Sequence, residues 1–226
     1  MTTPRSNVGP NADGGGAAIQ VVEWGHLPFH EAHQRQLAAL EDRIAGKIGD
    51  TVFLVEHPHV YTYGRSASST IPEGPAEVFG ERVDRVVIER GGDVTYHGPG
   101  QLVAYPIVDV KSLTGDLHQF LHWLEDVIIE TIAPWGIQGS HHPEYTGVWV
   151  GDRKIASIGI AVRKWVSYHG VALNVATDLH FFEAIDPCGL PSDVMISMES
   201  ATGFKIALND VKARLANVIS MGRARD

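Results

Sequence analysis

The sequence has a single cysteine, Cys188, in 226 residues, so no intrachain disulfide can form. It has no apolar run near the ~20 residues a membrane-spanning helix needs. The N-terminus lacks the basic and apolar regions of a secretory leader. Bases are scarce: 18 Lys and Arg stand against 27 Asp and Glu, a net charge of −9. The broad basic face of a nucleic-acid binder is therefore missing. These absences point to a cytoplasmic protein without nucleic-acid or membrane partners. The rest of the composition is ordinary for a globular chain, with 44% hydrophobic and 20% charged residues. The length suits one α/β domain with a substantial core.

Residues 1–17, rich in Gly, Pro, Asn and Thr, read as a disordered tail, and 18–226 as a single domain. Ile19 to Trp24 has strand character, and Phe29 to Ala45 reads as an amphipathic helix ended by Gly46 and Gly49. Thr51 to Val55 is a short apolar run, hence a buried strand. Residues 64–80 read as a loop, and Val83 to Ile88 as a strand. Leu102 to Val110 is a further strand, in which Pro106 argues for an edge or a bend. From Leu117 the apolar residues fall at helical spacing until Pro134 and Gly136. Val148–Val150, Ile155–Val162 and Val166–Val175, turned by Gly-Asp and Arg-Lys, suggest an antiparallel meander. Leu179 to Ile185 and Asp210 to Met221 read as helices. The expected class is α/β (α+β), a mixed sheet with flanking helices.

Four segments carry candidate chemistry. In Arg90-Gly91-Gly92-Asp93-Val94-Thr95-Tyr96-His97-Gly98-Pro99-Gly100-Gln101 the glycines let backbone approach a ligand, while Arg90 and His97 offer polar anchors. Glycine content alone leaves a tight connection between strands equally open. Arg153 to Gly159 places Lys154 after a turn, where a lysine is by default solvated. In Tyr168 to Asn174, Gly170 inside a strand indicates close approach of a ligand or of another backbone. His169 by itself fits a packed, hydrogen-bonded histidine. Ile185-Asp-Pro-Cys-Gly-Leu190 puts Cys188 in a turn, which exposes sulfur and frees backbone N–H groups for an oxyanion. A lone cysteine is otherwise most often a small buried hydrophobe.

RGGDVTYHGPGQ, RKIASIGI, YHGVALN and IDPCG, in this order, resemble the lipoyl(octanoyl) transferases, or lipoate-protein ligase B family, over about Val22 to Met198. The resemblance implies the catalytic-domain fold of biotin and lipoate ligases, related to class II aminoacyl-tRNA synthetases. It implies transfer of octanoyl from acyl carrier protein to a lysine on lipoyl domains of 2-oxoacid dehydrogenases and the glycine-cleavage H protein, without a cofactor. It maps the nucleophile onto Cys188 and its partner onto Lys154. Substrate-binding stretches map onto Arg90, Gly91, Gly92, Asp93, Val94, Thr95, Tyr96 and His97, onto Ser157, Ile158 and Gly159, and onto Gly170, Val171 and Ala172. The chain departs from the family at His59 and Tyr63, where Pro and Leu are common, and at Ile196-Ser197, where Thr-Ser is frequent.

A thiolate attacks a thioester to give another thioester of similar energy, so Cys188 suits exchange without ATP. A cation beside it favours the thiolate, and neutral Lys154 can take the proton of the attacking amine. Docking of an acidic carrier protein on this acidic chain calls for a local basic patch, with Arg153, Arg163, Lys164, Arg82 and Arg85 as candidates. The competing readings are an ATP-dependent lipoate or biotin ligase of the same fold and a non-enzymatic carrier- or metal-binding module. The glycine- and arginine-rich loop of biotin ligases is absent. His57/His59 and His141/His142 lack the spacing of a zinc motif, so no metal is expected.

Overall fold

The computed structural model describes residues 18–67, 74–185 and 194–221. β1 (Gln20–His26) leads into α1 (Phe29–Ile44), which returns to β2 (Thr51–Glu56), parallel to β1. Gly46, at φ 70°, takes the left-handed conformation just past the helix, as the sequence leads one to expect. β3 (Val60–Tyr63), β4 (Ala76–Val78), β5 (Glu81–Val87) and β6 (Val94–His97) follow. β7 (Gln101–Ile107) leads to α2 (Val110–Thr114) and α3 (Leu117–Ile132). β8 (Gly147–Val150), β9 (Arg153–Arg163) and β10 (Val166–Asn174) form the expected antiparallel meander. α4 (Met198–Thr202) and α5 (Leu208–Met221) come last.

Instead of one mixed sheet the strands form two. A six-stranded sheet has the order β1-β2-β7-β10-β9-β8, and a four-stranded sheet the order β4-β5-β3-β6. The smaller sheet is built partly from 64–80 and from the glycine-rich segment, both of which read as loops. Strands of three or four residues carry too little periodicity to show in the sequence. Leu179–Ala184 winds as a 3-10 helix rather than an α-helix. Asp178 caps it through the N–H of His180.

The large sheet is covered on both faces, because its central strands are apolar on both sides. Val52 and Leu54 of β2 face Phe120, Leu124 and Ile128 of α3 and Leu215 and Ile219 of α5. Phe53 and Val55 of the same strand face Ala32 and Leu40 of α1. Alternate residues of a strand point to opposite faces, so the continuous run Thr51–Val55 fills two cores at once.

Pro106 is not at an edge. β7 lies between β2 and β10, and Pro106 pairs with Val52. Having no N–H, it ends the ladder to β10, which stops at Ala104 opposite Val171. Beyond this break Ser167 Oγ donates to the Pro106 carbonyl at 2.7 Å, and His169 adopts φ 58°. Gly170 then approaches a backbone rather than open space: a Cβ there would lie 2.1 Å from the Ala104 oxygen and 2.5 Å from Pro106 Cδ. Gly170→Val should therefore overpack the sheet at a cost of about 1–3 kcal/mol or more. Its thermal midpoint should fall by about 5–10 °C. An unchanged midpoint in a calorimetric scan contradicts this packing.

Candidate active site

A cleft of about 690 Å³, counted with its open mouth, lies between the two sheets. One wall is the turn Arg90–Gly92 with Val94, Thr95 and His97 of β6. The facing wall is Lys154, Ser157, Ile158 and Gly159 of β9 with Gly170, Val171 and Ala172 of β10. The Arg90 segment and the distant β9–β10 hairpin thus converge on one space. Phe29, Ile88, Val103, Tyr105, His169 and Met195 complete the lining. Asp93 and Tyr96 do not line it. The Asp93 carboxylate accepts from the Val94 N–H at 2.8 Å and shapes the turn. Tyr96 is buried on the other side of β6, stacked on Phe181 at 5.1 Å, with its hydroxyl hydrogen-bonded to His59 Nδ1. Cys188 lies outside the described residues.

The glycines make the walls close. Gly91 N–H donates to the Ile160 carbonyl at 3.0 Å, which lays the Arg90–Gly92 turn on β9. A Cβ at Gly159 would meet Arg90 Cδ at 3.0 Å and the Gly91 oxygen at 3.2 Å. Gly92, at φ 84°, takes a conformation that a side chain disfavours. Arg90 is buried and donates to the Thr62 carbonyl at 2.6 Å and to the Gly91 carbonyl at 2.9 Å, pinning the turn to β3.

Lys154 is nine-tenths buried, with Nζ 5.7 Å from the Trp149 ring centroid. Its stem packs on Gly147, where a Cβ would lie 2.6 Å from Lys154 Cε. Its carbonyl accepts from the Ile196 N–H at 3.0 Å, so the chain that resumes after residue 193 runs alongside it. The default of a solvated turn lysine does not hold here, because β8 and the 194–197 segment close over it.

Behind the β6 wall a polar chain is fully engaged. Gln101 Oε1 accepts from His97 Nδ1 at 2.8 Å, and Gln101 Nε2 donates to Asn174 Oδ1 at 2.9 Å. This assignment of the network leaves His97 Nε2 as an acceptor. His57 is locked in the same tautomer: its Nδ1 donates to the Leu27 carbonyl at 2.8 Å and its Nε2 accepts from the Tyr105 hydroxyl at 2.7 Å. Burial pushes His57 down to about 4. Burial, with His57 next in weight, pushes His97 down to about 3. Both are neutral at pH 7.

The folded forms resist protonation, whereas the unfolded chain takes up protons near ~6.5. The stability they confer is complete above that value and declines as pH falls from ~6.5 toward 4 and 3. At pH 5 each histidine should withdraw about 2 kcal/mol, or about 4 kcal/mol together. Urea unfolding at pH 8 and pH 5 checks this, and His97→Asn should flatten the dependence. Equal midpoints at both pH values contradict it.

The apolar walls (Phe29, Ile88, Val94, Val103, Ile158, Val171 and Met195), with the Arg90 and Lys154 side chains among the lining, suit an aliphatic chain with a polar end. The sequence model of the lipoyl protein ligase A/B catalytic domain matches residues 28–220, nearly the whole described chain.

The chain belongs to the lipoyl protein ligase A/B catalytic-domain family.

Within the family, it is 40% identical over 197 residues to an octanoyltransferase of Syntrophotalea carbinolica, covering 87% of this chain and 90% of that one. Among solved structures, lipoate-protein ligase A bound with ATP superposes with a TM-score of 0.66 at 14% identity, over 92% of this chain and 85% of that one. Biotin protein ligase from Aquifex aeolicus superposes with a TM-score of 0.51 at 11% identity, over 93% and 72%. At such identities these two establish the shared fold, a mixed α/β architecture with flanking helices.

Some lining residues gave no signal in the sequence. Val103 and Tyr105 read only as part of the strand Leu102 to Val110, Met195 carried no reading, and the gap between the sheets turns all three into cavity wall. Phe29 opens α1 and looks like any buried helix residue. His169 stood inside a motif, yet a strand histidine has no pattern that separates packing from exposure to a ligand. Among the described residues no helix is long and apolar enough to cross a membrane.

Proposed function

We propose that the protein is an octanoyltransferase that takes octanoyl from acyl carrier protein onto Cys188 and passes it to a lysine of a lipoyl domain. The relationship to octanoyltransferases over nearly the full chain carries this reading. The buried lysine on an apolar cleft supports it. A single catalytic domain, 18–226, performs both half-reactions in the cytoplasm, where a lone thiol stays reduced. The lipoyl acceptors are those of 2-oxoacid dehydrogenases and the glycine-cleavage H protein.

In the first half-reaction the Cys188 thiolate attacks the carrier's thioester carbon. The tetrahedral intermediate collapses with loss of the carrier thiolate, which takes the proton of the Lys154 ammonium and leaves that amine neutral. In the second, the neutral acceptor amine attacks the Cys188 thioester, Lys154 accepts its proton, and the Cys188 thiolate leaves. The acyl chain lies along Val94, Ile158 and Val171, with Arg90–His97, Ser157–Gly159 and Gly170–Ala172 as its binding surface. Each buried methylene contributes about 0.8 kcal/mol, which separates chain lengths coarsely.

The testing experiment is transfer from octanoyl-acyl carrier protein to a lipoyl domain with nucleotide removed by apyrase. Full turnover is expected. Dependence on ATP and free octanoate contradicts the proposal.

A further inference from the structure

His33 of α1, Glu89 just after β5 and His169 of β10 meet beside the cleft, although nothing in their sequence spacing connects them. Nε2 of His33 lies 3.4 Å from Glu89 Oε2, and Nε2 of His169 lies 3.6 Å from the same oxygen. The three ligand atoms are all within 4.8 Å of one another. Both imidazole nitrogens are buried with no hydrogen-bond partner among the described residues, and His169 is only 2% exposed. An unsatisfied buried nitrogen of this kind costs about 1–3 kcal/mol.

A loose ion pair is the bland reading, and the geometry argues against it. Charge-assisted N–H···O contacts close to about 2.7–2.9 Å. The observed separations instead match the edge of a tetrahedron with metal–ligand bonds of about 2.1 Å, which is about 3.4 Å. The imidazoles are also held for ligation. The His33 ring stacks on His169 at 5.4 Å and on Phe29 at 6.0 Å. The His169 backbone N–H donates to Gln36 Oε1 at 2.9 Å. Glu89 is half exposed, which gives an entry path from solvent.

The other histidine–carboxylate cluster lacks these features. Glu125 Oε2 accepts from His122 Nδ1 at 3.0 Å and from His141 Nδ1 at 2.7 Å. Glu125 Oε1 accepts from the Gly147 N–H at 2.9 Å. That cluster is already satisfied and serves as a control.

We propose that His33, Glu89 and His169 form a binding site for a divalent transition cation, zinc foremost, through two imidazole nitrogens and one carboxylate with a fourth position left to water. The ligand set of nitrogen and oxygen donors suits zinc. Because His169 also lines the cleft, occupancy clamps α1 to the cleft wall.

The test titrates the untagged full chain, stripped with chelator, with Zn²⁺ against a chromogenic competitor. Cobalt absorption serves as a second readout. One equivalent should bind, with tetrahedral-type cobalt bands and a raised thermal midpoint. His33→Ala and Glu89→Gln, checked for fold by circular dichroism, should each bind at least ~10-fold more weakly and lose the midpoint rise. His122→Ala should bind as the parent does. No stoichiometric site in the parent overturns the proposal. So does equal affinity in His33→Ala and Glu89→Gln, or loss in His122→Ala instead.

Discussion

Lys154→Ala should lower octanoyl transfer by about 10²–10⁴-fold while leaving the protein folded. The side chain is nine-tenths buried between Gly147 and the 194–197 segment, so its removal takes a cation from the wall of the cleft. Two separable effects are expected. A free thiol titrates near ~8.5, and losing a neighbouring cation leaves less thiolate at neutral pH. The alkylation profile of Cys188 with iodoacetamide should therefore move to higher pH in Lys154→Ala. Lys154→Arg should keep much of the thiolate yet fail with the acceptor amine, since guanidinium does not accept a proton at working pH. The tight contact of Lys154 Cε with Gly147 gives the larger head little room, so fold is checked alongside. An unmoved profile in Lys154→Ala removes the lysine from the mechanism. Full transfer by Lys154→Arg removes its role as proton acceptor.

Cys188→Ala should abolish transfer to the limit of detection, because no other thiol exists to hold the acyl group. Cys188→Ser should lose most of the rate as well, since an alkoxide forms far less readily and its ester is a poorer acyl donor than a thioester. Both variants should retain the parent's thermal midpoint within about 2 °C, since each replaces one small side chain by another of similar size. Single-turnover transfer to a lipoyl domain reads the effect. Transfer by Cys188→Ala within tenfold of the parent means direct attack of the acceptor on the carrier thioester.

How much was legible in the sequence depended on the signal each part carries. Thr51–Val55 read as a buried strand because its apolar run is longer than a turn and shorter than a helix, and Val166–Val175 read as one arm of a meander because turn residues separate it from its neighbour. The helix from Leu117 to Ile132 read cleanly because its apolar stripe is bounded by Asp116, which caps it, and by Gly136 in the left-handed conformation. Of the small sheet only β5, read as Val83 to Ile88, showed in the sequence. Val60–Tyr63 and Val94–His97 are too short for a period, and glycine masks the second as a loop. Pro106 misled because a local ladder break, compensated by Ser167, lets a proline sit in a central strand.

For the cleft, glycine pointed to close approach, and at Gly159 that approach is to the Arg90 turn. At Gly170 it is to the Ala104 carbonyl. Strand alternation separated Thr95 and His97 from Tyr96, a distinction the motif could not draw while its segment read as a loop. The meeting of His33, Glu89 and His169 could not be read at all, since it exists only once α1 packs against β10.

The central claim is a covalent octanoyl intermediate on Cys188. The most direct measurement is intact-protein mass spectrometry within seconds of mixing the enzyme with octanoyl-acyl carrier protein, followed by peptide mapping. The account predicts one octanoyl adduct that maps to the peptide containing Cys188, is released by neutral hydroxylamine, disappears when a lipoyl domain is added, and is absent in Cys188→Ala. An adduct that persists in Cys188→Ala, or rapid transfer with no adduct on the parent enzyme, would contradict it.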